Sequence, residues 1–105
     1  MSEKRSSYNT GNDGQLPPDV MEVYASPNYR PPTSNEVRVL LRSKGWTGSH
    51  AAQLVGVDSR AVRRWTADEA AKTFHPIPYS AWRLLLLEAG MVNVVQDKKT
   101  AGMSG

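Results

Sequence analysis

The stretch Trp46-Thr47-Gly48-Ser49-His50-Ala51-Ala52-Gln53-Leu54-Val55-Gly56-Val57-Asp58-Ser59-Arg60-Ala61-Val62-Arg63-Arg64-Trp65 decides the fold. It reads as two short helices around a glycine turn. Thr47 is placed to cap the first helix, whose inner face would be Ala51, Ala52, Leu54 and Val55. Gly56 takes the turn, Val57 is expected to plug the space between the helices, and Asp58 caps the second helix. Val62 and Trp65, three apart, face inward from that helix and leave its polar positions outward. The small side chain of Ala52 matters because two helices that cross steeply within a few residues need close backbone approach. Gly56 complements it by adopting positive φ at little steric cost.

Upstream, Thr33 and Glu36 have the spacing of a capping box, in which each side chain satisfies the other residue's backbone N–H. A helix follows, with Val37, Leu40 and Leu41 as its apolar stripe and Gly45 as its left-handed stop. Val39 falls on the far side of this stripe, without an evident partner. Downstream, residues 66–72 carry acids in the first turn and a lysine at the end, which favours a short connecting helix. The prolines of Phe74-His75-Pro76-Ile77-Pro78-Tyr79 then make a stiff turn, and a last helix runs from Pro78 to Ala89 with Gly90 as its stop. Four consecutive leucines in that helix cannot all face one core. Trp82, Leu85, Leu86 and Ala89 share one face, whereas Leu84, Leu87 and Met91 lie opposite. The expected fold class is all-α, a small bundle of four to five helices containing a helix-turn-helix.

The chain is 105 residues long, 39% hydrophobic and 22% charged, which fits one small domain. Its three parts differ. Residues 1–32 hold five of the seven prolines and a slight acidic excess, and read as a flexible N-terminal arm; for its less polar half, 16–29, a docked short helix or turn is one reading and an extended segment that packs weakly if at all is the favoured one. Residues 33–90 hold all three tryptophans and a basic excess, and read as the domain. Residues 91–105 decay into a polar, glycine-containing C-terminal tail with too little apolar area to offset ordering entropy. With no cysteine and two histidines, thiolate zinc sites, disulfides and cysteine nucleophiles are excluded, and no metal or other cofactor is expected. His75 has no carboxylate, serine or cysteine nearby in sequence to work with. No long apolar run and no secretory leader is visible, so the expected location is cytoplasmic, with no membrane partner. The net charge of +3 permits a polyanionic partner without requiring one.

The register of Ala52, Gly56, Val57, Val62 and Trp65 resembles the helix-turn-helix of the Xre, phage-repressor-like family. That resemblance implies a second helix lying in the major groove of double-stranded DNA. Carried over position by position, it puts Ser59, Arg60 and Arg63 against base edges, where an arginine fork bridges guanine O6 and N7. Arg64 then falls to a phosphate or lies alongside the helix. Thr47, Ser49 and His50, at the start of the preceding helix, are placed for phosphate contact by the free N–H groups and the positive end of the helix dipole. The chain departs from the family pattern at Gly48, where a polar residue such as glutamine often steadies the recognition helix. The Pro-x-Pro-Tyr turn before a terminal apolar helix loosely resembles the anti-CRISPR-associated repressors of phages and mobile elements, which bind inverted repeats as dimers. A homodimer held by Leu84, Leu87 and Met91 is therefore expected, because a domain this small has little surface of its own with which to cover a second stripe.

Two function classes follow. The first is a sequence-specific DNA-binding transcriptional regulator, a dimeric repressor of an inverted-repeat operator. The second is a protein-interaction adaptor that reuses the fold and docks through Leu84 and Leu87. Arg60 and Arg63 separate them, since an adaptor has no need of bare guanidinium groups there. No small-molecule ligand is evident. An enzyme is disfavoured by the lack of a nucleophile-base pair, paired carboxylates or a glycine-rich phosphate loop.

Overall fold

Thr33 and Glu36 close the capping box: the threonine hydroxyl accepts the Glu36 N–H at 3.1 Å, and the glutamate accepts the Thr33 N–H at 2.8 Å. Helix α1, Ser34–Lys44, starts there and ends at Gly45, whose φ of 68° places it in the left-handed region. The computed structural model describes residues 16–94. Within them three further helices follow, α2 (Gly48–Val55), α3 (Ser59–Trp65) and α4 (Tyr79–Glu88), with one 3-10 turn, Pro18–Met21, ahead of α1. There is no strand among the described residues, and the all-α bundle is the observed architecture.

The core is built where the apolar stripes meet. Val37, Leu40 and Leu41 of α1, Ala51 and Ala52 of α2, Val62 and Trp65 of α3, and Trp82, Leu85 and Leu86 of α4 are all buried. Helix α2 packs against both α3 and α4. Gly56 turns the chain at φ 77°, and its N–H and that of Val57 both donate to the Ala52 carbonyl, at 2.8 and 3.0 Å. Val57 itself does not plug the crossing. Ala51, Ala52 and Val62 already fill it, and Val57 lies at the surface, 38% exposed. Val39, conversely, does find neighbours: it is half-buried against the core.

The connecting helix expected over residues 66–72 is absent; the segment is a run of turns. Its acids are used elsewhere. Asp68 accepts the Ala70 N–H at 2.9 Å, which makes a local turn that competes with helix, and Glu69 reaches across to accept the Ser34 N–H at 2.9 Å. Glu69 thereby satisfies a free donor in the first turn of α1 and places a negative charge at its positive end.

Residues 16–30 pack on the bundle, which corrects the expectation of a weakly packed arm over this half. Leu16 and Val20 belong to the core, and Val20 has no exposed surface. The buried indole N–H of Trp82 donates to the Val20 carbonyl at 2.7 Å. Arg30 bonds to Asp19 on one side and Glu36 on the other, tying the 3-10 turn to the start of α1. Tyr24 and Tyr29 stack with each other and with Tyr79 at centroid distances of 5.1–5.6 Å, against the first residue of α4. The expected flexible stretch 1–15 and the tail beyond residue 94 lie outside the described residues.

In α4, Trp82, Leu85, Leu86 and Ala89 form the inward face as expected, and Leu84 and Leu87 are partly exposed. Met91 departs from the expected grouping. The helix has ended by then: Gly90 turns at φ 74°, the Met91 N–H donates to the Leu86 carbonyl at 3.0 Å, and the side chain folds back against the core.

Candidate nucleic-acid interface

Helix α3 is anchored by Val62 and Trp65, which leaves Arg60, Arg63 and Arg64 exposed and Ser59 half-exposed on its outer side. These three arginines border one shallow depression of about 410 Å³ with Ala67 and Thr73. Asp58 caps the helix, accepting the Arg60 N–H at 2.8 Å, and its carboxylate lies 3.6 Å from the Arg60 Nε. That backbone bond, with the Arg60 charge behind it, holds the Asp58 carboxyl below its ordinary range. The Arg60 guanidinium is thus tethered near the helix start while remaining 73% exposed.

At the start of α2, the Thr47 hydroxyl oxygen accepts the His50 N–H at 3.0 Å, so it acts first as a helix cap. A threonine hydroxyl that accepts in this way keeps one O–H donor of its own. Ser49 and His50 are exposed, and the His50 ring stands 5.9 Å from the Trp46 ring. Gly48 comes close to α3: a Cβ at this position would lie 3.7 Å from Cγ1 of Val62. The first turn of α2 therefore meets the middle of α3 through an apolar contact where a polar bridge would stand in the resembled family.

Ser59, Arg60, Arg63 and Arg64 thus share the outer side of α3, and Gly48 and Arg63 border a second notch of about 390 Å³ that brings the α2 start beside them. Sequence reasoning missed two residues of that notch. Arg38 and Arg42, one turn apart on α1, line it together with Trp46 and Thr66. Their i, i+4 spacing was visible, but only the fold reveals that they line this notch beside the C-terminal end of α3. Arg38 donates to the Thr66 carbonyl, at the C-terminal end of α3. The apolar residues Leu84 and Leu87 sit on α4, away from the apolar set packed against the core.

His75 is exposed in its turn, with Nδ1 3.1 Å from the Thr73 carbonyl oxygen. Among the described residues no three His, Cys, Asp or Glu side chains gather in a way that could hold a metal ion. No helix among them is long and apolar enough to cross a membrane.

No family model matches the chain. Two Escherichia coli proteins, each a transcriptional repressor protein KorC, are similar to it: one is 41% and the other 40% identical over 63 residues, covering 57% of this chain and 68% of the relative in both cases. On that extent of identity, the chain belongs to the family of the KorC transcriptional repressors.

Proposed function

We propose that the protein is a sequence-specific DNA-binding repressor whose α3 enters the major groove, in the manner of the Xre-like helix-turn-helix group. The observation that carries this reading is the outer side of α3, where Arg60, Arg63 and Arg64 stand exposed over a helix fixed from beneath by Val62 and Trp65. Ser59, Arg60 and Arg63 read base edges. The arginine forks match the paired acceptors of guanine, each such contact contributing about 1 to 3 kcal/mol of discrimination. Arg64, Thr47, Ser49 and His50 hold backbone phosphates, which set the register of the helix and carry no sequence information. The active species is a homodimer formed through Leu84 and Leu87, and its operator is an inverted repeat. Repression follows from occupancy of a promoter.

Selection of bound sequences from a random duplex pool tests the reading. Enrichment of one inverted repeat with guanines at positions protected by α3 is expected. Recovery of an unenriched pool would overturn it.

A further inference from the structure

We infer that Arg38 and Arg42 of α1 hold a phosphodiester of the duplex in the notch beside α3, with Arg63 at its edge left to the bases; the inference rests on the groove reading of α3. Three guanidinium groups and no carboxylate line this notch among the described residues. The one acid of α1, Glu36, is occupied at the opposite end of the helix by Arg30. Arg38 is oriented by its bond to the Thr66 carbonyl, which takes one of its five N–H donors and leaves the rest for another acceptor. Arg42, one turn further along, is exposed. Like charges gathered with no counter-charge are unfavourable until an anion joins them, and Leu41, Trp46 and Val62 complete the lining of the notch.

Phosphate is the anion that fits. It presents several acceptor oxygens to guanidinium forks, and the notch is continuous through Arg63 and Gly48 with the side of α3 assigned to the groove. A strand bordering the groove would pass there. The phosphate could come from such a strand or from a free polyphosphate, and the experiment separates the two.

Binding of the full-length chain to its selected duplex and to a scrambled duplex is measured over a range of salt, for the wild type, Arg42→Gln and Arg42→Lys, with melting temperatures confirming the fold. Arg42→Gln should weaken both duplexes by one factor and leave their ratio intact. It should also reduce the steepness of the log-log salt dependence by about 0.9, so that binding falls about 3.5-fold less between 50 and 200 mM salt. Arg42→Lys should keep the wild-type slope. A wild-type slope in Arg42→Gln, together with lost discrimination in Arg60→Ala, would overturn the notch and leave the groove reading standing. Absence of any duplex binding by the wild type would overturn both. In a second arm, pyrophosphate is titrated while the Trp46 indole N–H resonance is followed by NMR. Saturable binding at physiological salt that Arg42→Gln abolishes, with its duplex slope unchanged, would assign the notch to a free phosphate ligand and overturn the duplex source.

Discussion

The indole of Trp82 and the carbonyl of Val20, 62 residues apart in sequence, share a buried hydrogen bond of 2.7 Å. Through it the terminal helix holds the segment that precedes α1. Arg83 adds a second tie from the next position, donating to the Met21 carbonyl at 3.2 Å. The segment around Val20 and Met21 is therefore tied to the core. Trp82→Phe keeps an aromatic ring but orphans the Val20 carbonyl, which should cost about 1 to 3 kcal/mol. Val20→Ala should cost up to about 1.5 to 3 kcal/mol, the contribution of a fully buried valine. Urea unfolding of the full chain measures both, and losses below about 0.5 kcal/mol, the scale of surface substitutions, would show that the segment contributes nothing to the core.

The glycines divide by backbone conformation. Gly45 and Gly56 lie at φ 68° and 77°, so alanine there should destabilise by about 1 to 2 kcal/mol. Gly48 is different: it has ordinary helical φ, and an added Cβ meets Val62 at a normal 3.7 Å. Gly48→Ala should leave stability unchanged or raise it by up to about 1 kcal/mol, because alanine loses less backbone entropy in a helix. A loss on the scale of Gly56→Ala would mean that α2 and α3 approach more closely than this geometry allows.

Arg30 makes stability depend on acid. Its guanidinium lies 3.0 Å from Asp19 and 2.9 Å from Glu36. The Arg30 hydrogen bond holds the Asp19 carboxyl below its ordinary value of 3.8. Burial pushes Glu36 up, but the bonds from Arg30 and Thr33 outweigh it and bring the group below 4.5. Carboxyls depressed in the folded state stabilise above their unfolded values, and that stability is lost as pH falls through the folded ones. On the alkaline side, burial and the neighbouring Tyr79 and Tyr24 raise Tyr29 above 10.0, so its contribution is present below that value and lost above it. Unfolding midpoints should thus be flat between about pH 5 and 9 and decline on either side. Arg30→Gln should lower the plateau and flatten the acid limb; an unchanged acid limb would show that the bridge carries no linkage.

The legible parts of this fold were those with local causes. Thr33 with Glu36, Gly45 and Gly56 each act within a few residues, so α1 and the paired helices α2 and α3 could be placed from spacing alone. The docked segment was not legible because its two core residues, Leu16 and Val20, are separated by Pro17 and Pro18, which disfavour a continuous helix, and Val20 is held by Trp82, 62 residues away. Residues 66–72 misled for a related reason. Their acids looked like a helix start, while Glu69 serves the start of α1 instead. Met91 was grouped with Leu84 and Leu87 by extending a helical projection past Gly90, where the helix has already stopped. In the candidate site, the arginines of α3 were legible from the motif. Arg38 and Arg42 were not, because only the fold brings them to the notch beside α3.

Arg60→Ala and Arg63→Ala should each lose about 1 to 3 kcal/mol of discrimination between the selected duplex and single-base variants of it. Ser49→Ala should weaken every duplex alike, as expected for a phosphate contact. Competition binding with a panel of single-base variants separates the two patterns. Unchanged base preference in both arginine variants would remove α3 from the groove.

Leu84 and Leu87 make the case for a dimer. Both are partly exposed on α4, on the side away from Trp82, Leu85 and Leu86, and among the described residues neither belongs to the set packed against the core. Fully burying each contributes roughly 1.5 to 3 kcal/mol, and a two-fold contact counts every such burial twice. That sum is of the same order as the entropic cost of association, about 4 to 15 kcal/mol, so the two leucines would form the centre of a larger contact. The same symmetry would carry two α3 helices to successive major grooves, with half-site centres about 10 to 10.5 base pairs apart or a multiple of that spacing. Leu84→Asp combined with Leu87→Asp should yield a folded monomer by light scattering, one that binds a single half-site weakly in a gel shift. A wild-type chain that is monomeric at tens of micromolar, binds one half-site at full affinity and tolerates both substitutions would bring down the dimer and the inverted-repeat operator together, because the operator's symmetry is inferred from the dimer.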